Sequence, residues 1–517
     1  MTLCTGGMLA VMRMVTMAAR GWCLACLLLC GSAHADTTFM GKDTVVVPAA
    51  MPLLPTVVRQ HAGVFNGQPL RYRSVVEEVP VRDDTGAVYT TVGSFSYLAE
   101  GAQRQRPIVF AFNGGPGSSS IWLHMGMLGP VRPDYGPMAG DEELLLPTVA
   151  PFRMQANPES PLDKVDVVLV DPPGTGYARV RSADNLRQVM GPEPDARAIA
   201  GFIRDWLQRH GRQHAPVYLL GESYGTLRAA LVSQYLAEAS ASRPPVDVRG
   251  LVLVGQFLDK TRAQPEVTPV LDLIGFAATA WYHGRAGRGA SLEQHAQRAR
   301  VFAAGPYMPA LFAGSRLTAG EEDAVANELA SLIGIPAARL RELGLRIDVT
   351  TFLRELLSGT GLQAASFDSR FTFPLVVGRA EGMLDDAALS RYLPMYAALL
   401  KVHLRENLGT DVDRTYNVYE SARINTEFWK VEYPGARSYA DVLAGVMHAV
   451  PEFRVLFATG YYDLVTSLGE AEHVVALSAM PAERVLMRSY GSGHMPYLGK
   501  HSRAAFAQNI RQFFAGD

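Results

Sequence analysis

The chain reads as short, largely apolar runs separated by glycine-rich turns and by stretches of helical spacing. Pro107 to Phe112 (PIVFAF), 165–170, Val217 to Leu220, 250–254, Arg454 to Ala458 (RVLFA) and Arg484 to Met487 (RVLM) have strand length and little alternation. That is the pattern of strands buried on both faces of a parallel sheet. Ahead of them, Arg71 to Val79 and Ala87 to Leu98 flank Asp83-Asp84-Thr85-Gly86, which predicts a hairpin opening the sheet. Thr226 to Tyr235 (TLRAALVSQY) has the spacing of a helix packed back onto that sheet. Between the strands ending at 254 and beginning at 454 lie about 190 residues, far more than a loop can be. Thr318 and Glu321 form a capping box before a helix running to about Ile333, and 351–357 and 438–448 also show helical periodicity. The expected architecture is a mostly parallel α/β sheet with helices on both faces and a largely helical insertion.

The turns at the ends of these strands carry the candidate chemistry. Val217 to Leu220 runs into Gly221-Glu222-Ser223-Tyr224-Gly225, a G-x-S-x-G turn. Its glycines allow a bend sharp enough to hold a serine exposed at the top of the sheet. Strand-to-helix turns rich in glycine also occur without chemistry, so this pentapeptide alone decides nothing. A nucleophilic serine needs a base and a group that orients it, and on this plan they follow in the order Ser, acid, His. Asp463 lies just past the 454–458 strand, in Thr459-Gly460-Tyr461-Tyr462-Asp463. His494 lies just past the next, in Tyr490-Gly491-Ser492-Gly493-His494-Met495-Pro496. In isolation Asp463 is also a turn cap and His494 a loop histidine; order and strand context join them to Ser223 as a triad. The glycine-dense Asn113-Gly114-Gly115-Pro116-Gly117-Ser118 after the 107–112 strand stands where a second oxyanion donor is needed. The hole would be the N–H groups of Gly115 and Tyr224. A phosphate-cradling reading of this turn lacks the following Gly-Lys-Ser/Thr.

At these motifs the chain resembles the serine carboxypeptidases. Asn113-Gly-Gly-Pro-Gly-Ser-Ser, Asn157-Pro158, Asp171-Pro-Pro-Gly-Thr-Gly-Tyr177, Gly221-Glu-Ser-Tyr-Gly and Gly493-His-Met occur in that family's order, from about residue 60 to the end. Gly225-Thr226, where many eukaryotic members have Ala-Gly, is closest to the bacterial branch. The resemblance implies an α/β-hydrolase fold with core residues 36–260 and 451–517 and a cap over 261–450. It implies release of C-terminal residues from peptides through an acyl-enzyme on Ser223, without metal or cofactor. It also implies that Asn113, the Gly114 amide and Glu222 recognise the substrate's α-carboxylate, and that Met495 lines the pocket for the departing residue.

Glu222 raises a difficulty, because two carboxylates in contact repel unless one is protonated. The family usually pairs this acid with a second one placed just before a Leu-Gly-Pro. Here Met127 occupies that place, before Leu128-Gly129-Pro130. His124, Arg132 and Arg228 are the nearby candidates to assist Glu222, with an ion pair at the surface or behind the site as the other role for Arg228.

Arg13 and Arg20, the apolar run Trp22 to Leu29 (WCLACLLL) and the A-x-A-like Ala33-His34-Ala35 predict a signal peptide over 1–35 and a periplasmic or secreted protein. Lipid attachment at Cys30 is the alternative, with the oversized Leu29 against it. All four cysteines (Cys4, Cys23, Cys26 and Cys30) fall in that leader, so the remaining 482 residues must rely on core size rather than disulfides. No metal-binding motif is expected. Removing the leader shifts the formal charge from −2 to −4, and no basic stripe suggests nucleic acid. The expected partner is a peptide or small acyl substrate, and no second apolar segment is long enough to span a membrane. An esterase or acyltransferase would use the same triad. A non-catalytic binding protein on this fold is a further alternative, which the intact Ser223, Asp463 and His494 oppose.

Overall fold

The runs read as buried strands are strands, and they align their carboxyl ends on one edge of a single sheet. A computed structural model describes residues 52–101, 105–136, 144–147, 149–239, 244–258, 267–375, 386–419 and 438–516. The expected signal peptide over 1–35, with its cysteines, lies outside them. The main sheet comprises β1 (Val57–Phe65), β2 (Gln68–Arg82), β3 (Val88–Ala99), β4 (Ile108–Phe112), β5 (Asp166–Asp171), β6 (Val217–Glu222), β7 (Val248–Val254), β8 (Arg454–Gly460) and β9 (Val485–Tyr490). Their order is β1-β2-β3-β5-β4-β6-β7-β8-β9. The first three strands and the β3–β5 pair are antiparallel, and every later pairing is parallel. The hairpin forms where the Asp83–Gly86 turn predicts it, and Asp83 Oδ1 accepts from the Thr85 and Ala87 N–H groups. β1 has no counterpart among the predicted strands, because its polar Arg59, Gln60 and His61 hide a largely exposed edge strand.

Alternation along each central strand feeds two cores. Ile108, Phe110, Phe112, Val168, Leu219, Leu253 and Phe457 face one side. There they meet helices α1 (Pro192–Arg209), α2 (Tyr224–Ala237) and α5 (Tyr439–Ala449), through Phe202, Trp206, Leu227 and Leu443. Val109, Ala111, Val167, Leu169, Leu220, Val254 and Ala458 face the other. They pack with Trp122, with α4 (Ala387–Val402) and with α7 (Lys500–Ala515), whose Phe506, Ile510 and Phe513 are buried. Burial on both faces explains why these strands lack the half-polar alternation of β1.

The segment from 267 to 357 is helical and has a core of its own. α3 (Thr268–Tyr282) packs with the helices Leu292–Phe302, Ala319–Ile333 and Val349–Glu355 around Phe276, Phe302, Leu329 and Phe352. Phe276 and Phe352 stack with centroids 4.2 Å apart. Thr318 accepts from the Glu321 N–H and Glu321 reaches back to Thr318, the predicted capping box. Ser438 caps α5, which packs beside α2 rather than on this helical segment. α6 (Leu468–Leu477), which follows β8, packs on α3. Among the described residues no helix is long and apolar enough to cross a membrane.

Phe110 is fully buried and presents its ring edge-on to Trp206, with centroids 5.2 Å apart and planes at 90°. Phe110→Ala should destabilise the protein by about 3–5 kcal/mol and lower its urea midpoint. An unchanged midpoint would contradict this packing.

Candidate active site

Ser223 is the one residue between the end of β6 and the start of α2, at φ 59 and ψ −130. A non-glycine residue there stores strain on the order of 1–3 kcal/mol, and the surroundings hold it in place. Its N–H donates to Val254 O at the end of β7 (2.8 Å), and its carbonyl accepts from the Thr226 N–H (2.9 Å) and hydroxyl (2.7 Å). The flanking glycines permit close backbone approach. A Cβ on Gly221 would run into the Gly225 carbonyl, and one on Gly225 would lie 2.8 Å from Phe112 O.

The turn after β4 is pressed onto this elbow. A Cβ on Gly114 would lie 2.5 Å from the Tyr224 nitrogen and 2.6 Å from Glu222 O, and Gly115 sits at φ +104. Arg228, one helical turn after Tyr224, donates to Asn113 O (2.6 Å) and pairs with Asp195 of α1 (2.6 Å), almost wholly buried. Of the two roles weighed for Arg228, it fills that of an ion pair behind the site. Its task is to fix the turn that carries Asn113.

The loops after β8 and β9 bring acid and histidine together. His494 Nδ1 lies 2.7 Å from Asp463 Oδ2, with both groups buried. Asp463 Oδ1 accepts from the Val465 and Thr466 N–H groups, and Thr466 Oγ1 donates to Oδ2 (2.6 Å). Asp463 is therefore a turn cap and a histidine partner at once. The His494 N–H donates to Phe367 O (2.7 Å), the Phe367 ring meets the imidazole edge-on, and Arg370 Nη1 donates to Gly491 O (2.9 Å). On the other side Gly255, at φ +54, leaves room for the ring: a Cβ there would lie 2.8 Å from His494 Cε1. Among the described residues Nε2 is buried without a hydrogen-bond partner, and thus open to a proton from the cleft. Burial works against the charged imidazole, but the charge and hydrogen bond of Asp463, with Glu222 nearby, outweigh it and hold its pKa above the ordinary histidine value.

Ser223, His494, Asn113, Gly114, Gly115, Glu222 and Met495 all line one cavity of about 40 Å³. Asp463 stands behind His494, and Tyr224, whose N–H starts α2, is not in the cavity wall. Trp122, Phe367, Leu389, Leu393 and Tyr419 complete an apolar wall. Those last four lie far from every motif in the chain, so their place at the site carries no local signature.

Glu222 is held at both oxygens. Asn113 Nδ2 donates to Oε1 and the Tyr497 hydroxyl donates to Oε2, each at 2.6 Å. Burial pushes its pKa up to about 7, against the pull of His494 and these two hydrogen bonds. None of the three residues expected to assist Glu222 contacts it. His124 is bonded to the Tyr97 hydroxyl (2.6 Å), Arg132 pairs with Glu159 (2.6 Å), and Arg228 is engaged as described. Met127 is buried in the core away from the cavity. Tyr497 is the partner that sequence reasoning missed, although it stands only three residues beyond His494.

A larger, open groove of about 930 Å³ lies along 293–306. Arg298 and Arg300 there pair with Glu328 and Glu472. Its lining has no serine, histidine or cysteine, so it holds no Ser–His or Cys–His pair. Among the described residues, no group of three or more His, Cys, Asp or Glu is placed to hold a metal ion.

Comparisons with known proteins bear on this geometry. The family model for serine carboxypeptidases matches residues 92–297, which include Asn113, Glu222 and Ser223. Two proteins of Arabidopsis thaliana are similar: serine carboxypeptidase-like 36, 28% identical over 156 residues (30% of this chain, 29% of the relative), and serine carboxypeptidase-like 34, 23% identical over 223 residues (42% and 39%). The chain thus matches under two fifths of the length of either relative. Among solved structures, a prohormone-processing carboxypeptidase of Saccharomyces cerevisiae, Kex1, superposes with a TM-score of 0.52 at 12% identity, covering 86% of this chain and 91% of that one. Over 92–297 the chain carries the sequence pattern of the serine carboxypeptidase family, set on an α/β-hydrolase fold.

Proposed function

We propose that this protein is a serine-type carboxypeptidase that releases C-terminal residues from peptides through an acyl-enzyme on Ser223. One observation carries the reading: Ser223, His494, Asn113 and Glu222 converge on a single cavity, with Asp463 on the far side of the histidine. Ser223 Oγ attacks the scissile carbonyl while His494 Nε2 takes its proton and then gives it to the departing amine. Asp463 keeps the proton on Nδ1 and stabilises the imidazolium. The N–H groups of Gly115 and Tyr224 receive the oxyanion. Water then repeats the sequence on the ester, with no metal or cofactor. Protonated Glu222, Asn113 and the Gly114 amide receive the substrate's terminal carboxylate, which confines cleavage to the last bond. Met495 borders the leaving residue, and the insertion, expected as a cap over 261–450, supplies most of the apolar wall through Phe367, Leu389, Leu393 and Tyr419, while its 439–449 helix belongs with the sheet core. The leader directs the chain to the periplasm or outside the cell, and Gly225-Thr226 supports the bacterial branch.

The second reading, an esterase or acyltransferase, shares the triad, and the terminal carboxylate separates the two. N-blocked dipeptides should be cleaved as free acids and not as C-terminal amides, with Ser223→Ala lowering the rate roughly 10⁴–10⁶-fold. Equal cleavage of the amide, or of simple esters only, would move the second reading to first place.

The two titrating groups act in opposite directions. His494 must be neutral to accept the proton, so kcat/KM rises with pH through its raised pKa. Glu222 must be protonated to receive a carboxylate, so kcat/KM for free-acid peptides should fall above pH about 7. Simple ester substrates should lack that fall, and an identical alkaline limb for both classes would contradict the role of Glu222.

Gly255→Ala would push on the His494 ring, and a misplacement approaching 1 Å should lower kcat by about 10²-fold. Thermal unfolding monitored alongside checks that the variant remains folded. Wild-type kcat would show that Gly255 does not set the position of the base.

A further inference from the structure

The Tyr497 ring reaches Glu222 because three features of the chain agree. It lies three residues beyond His494, in the turn Pro496–Leu498 after β9. It is fully buried, and it passes Gly126, where a Cβ would lie 2.6 Å from ring Cδ2. Its hydroxyl donates to Glu222 Oε2, opposite the Asn113 amide on Oε1. Tyr497 does not line the cavity, so it touches Glu222 from behind. The other polar groups around this carboxyl are accounted for. His494 and Asp463 face it from the loops after β9 and β8. The Arg228–Asp195 pair lies behind Asn113, and Tyr396, behind Tyr497, is bonded to Tyr135 (2.9 Å). No second carboxyl group bonds to either oxygen of Glu222 in the described residues.

Resting on the carboxylate-recognition reading above, we propose that Tyr497 is the positioning residue for Glu222: its hydroxyl orients the carboxyl toward the cavity and sets the pH at which it ionises, in place of a second acid. A hydroxyl that donates to a carboxylate favours the ionised form. The hydrogen bond therefore holds Glu222 below the value that burial alone would give, and the usable range of the site ends near neutrality. Removing the hydroxyl moves that end upward and loosens the carboxyl, so binding of free-acid substrates weakens more than that of simple esters.

The test is a carboxyl titration by ¹³C NMR of glutamate-labelled Ser223→Ala protein, with Glu222→Gln identifying the resonance. In Tyr497→Phe the Glu222 midpoint should rise by about one unit. The alkaline limb of kcat/KM for free-acid peptides, measured with Ser223 intact, should move by the same amount, and KM for these peptides should rise by more than KM for simple esters. Gly126→Ala, whose methyl group crowds the ring, should move the midpoint in the same direction and serves if Tyr497→Phe does not fold. A midpoint unchanged in the folded variants would overturn the proposal. Because the titration requires no turnover, it is distinct from failure of the carboxypeptidase reading, which would show as equal cleavage of free acids and amides by the unaltered protein, and from failure of carboxylate recognition by Glu222, which would show as Glu222→Gln keeping full preference for free acids over amides.

Discussion

The candidate site depends on backbone-to-backbone contact between the turns that leave β4 and β6. At Gly114 the chain approaches the start of α2 so closely that one methyl group would occupy the space of the Tyr224 nitrogen and the Glu222 carbonyl. Gly221 and Gly225 allow the same intimacy within the elbow and against Phe112. This approach sets Asn113 beside Glu222, brings Gly115 to the cavity that Ser223 enters, and holds the serine at an unfavourable φ. The two-sided burial of β4 and β6 is what makes the turns rigid enough for this, since neither strand can shift without disturbing both cores.

A second constraint acts from the far end of the sheet. His494 is not held by its own loop alone: Phe367 and Arg370, from the long insertion, grip that loop by its backbone, while Gly255 at the end of β7 leaves room for the ring. The insertion thus contributes to the site twice, through these supports and through the apolar wall of Leu389 and Leu393. Acid, base and serine come from three strand ends, the serine and histidine braced by residues distant in sequence and the aspartate capped by its own turn.

Much of this was legible beforehand. Continuous apolar runs locate the central strands, because two-sided burial leaves a local mark, and glycine-flanked Ser223 and His494 mark the turns. β1 was not legible, since an exposed edge strand has no apolar run. The apolar wall was not legible either, because Phe367, Leu389 and Leu393 owe their place to tertiary packing. Met127 implies that something else must serve Glu222, and among residues near the motifs His124, Arg132 and Arg228 are the polar candidates the sequence offers. The structure supplies instead a neutral hydroxyl, from Tyr497, admitted by the absence of a side chain at Gly126. An arginine beside Glu222 would have held it ionised and unable to receive a substrate carboxylate; a tyrosine hydroxyl is compatible with protonation near neutral pH.

Every step of the proposed chemistry requires Ser223 as the nucleophile served by His494. Reaction of the whole protein with a fluorophosphonate, followed by mass spectrometry of its peptides, tests this without any assumption about substrate. One adduct per chain on Ser223, forming faster as pH rises through the pKa of His494 and lost in His494→Ala, is the predicted result. An adduct on another residue, or an unmodified Ser223 in protein that has lost its hydrolytic activity, would contradict it.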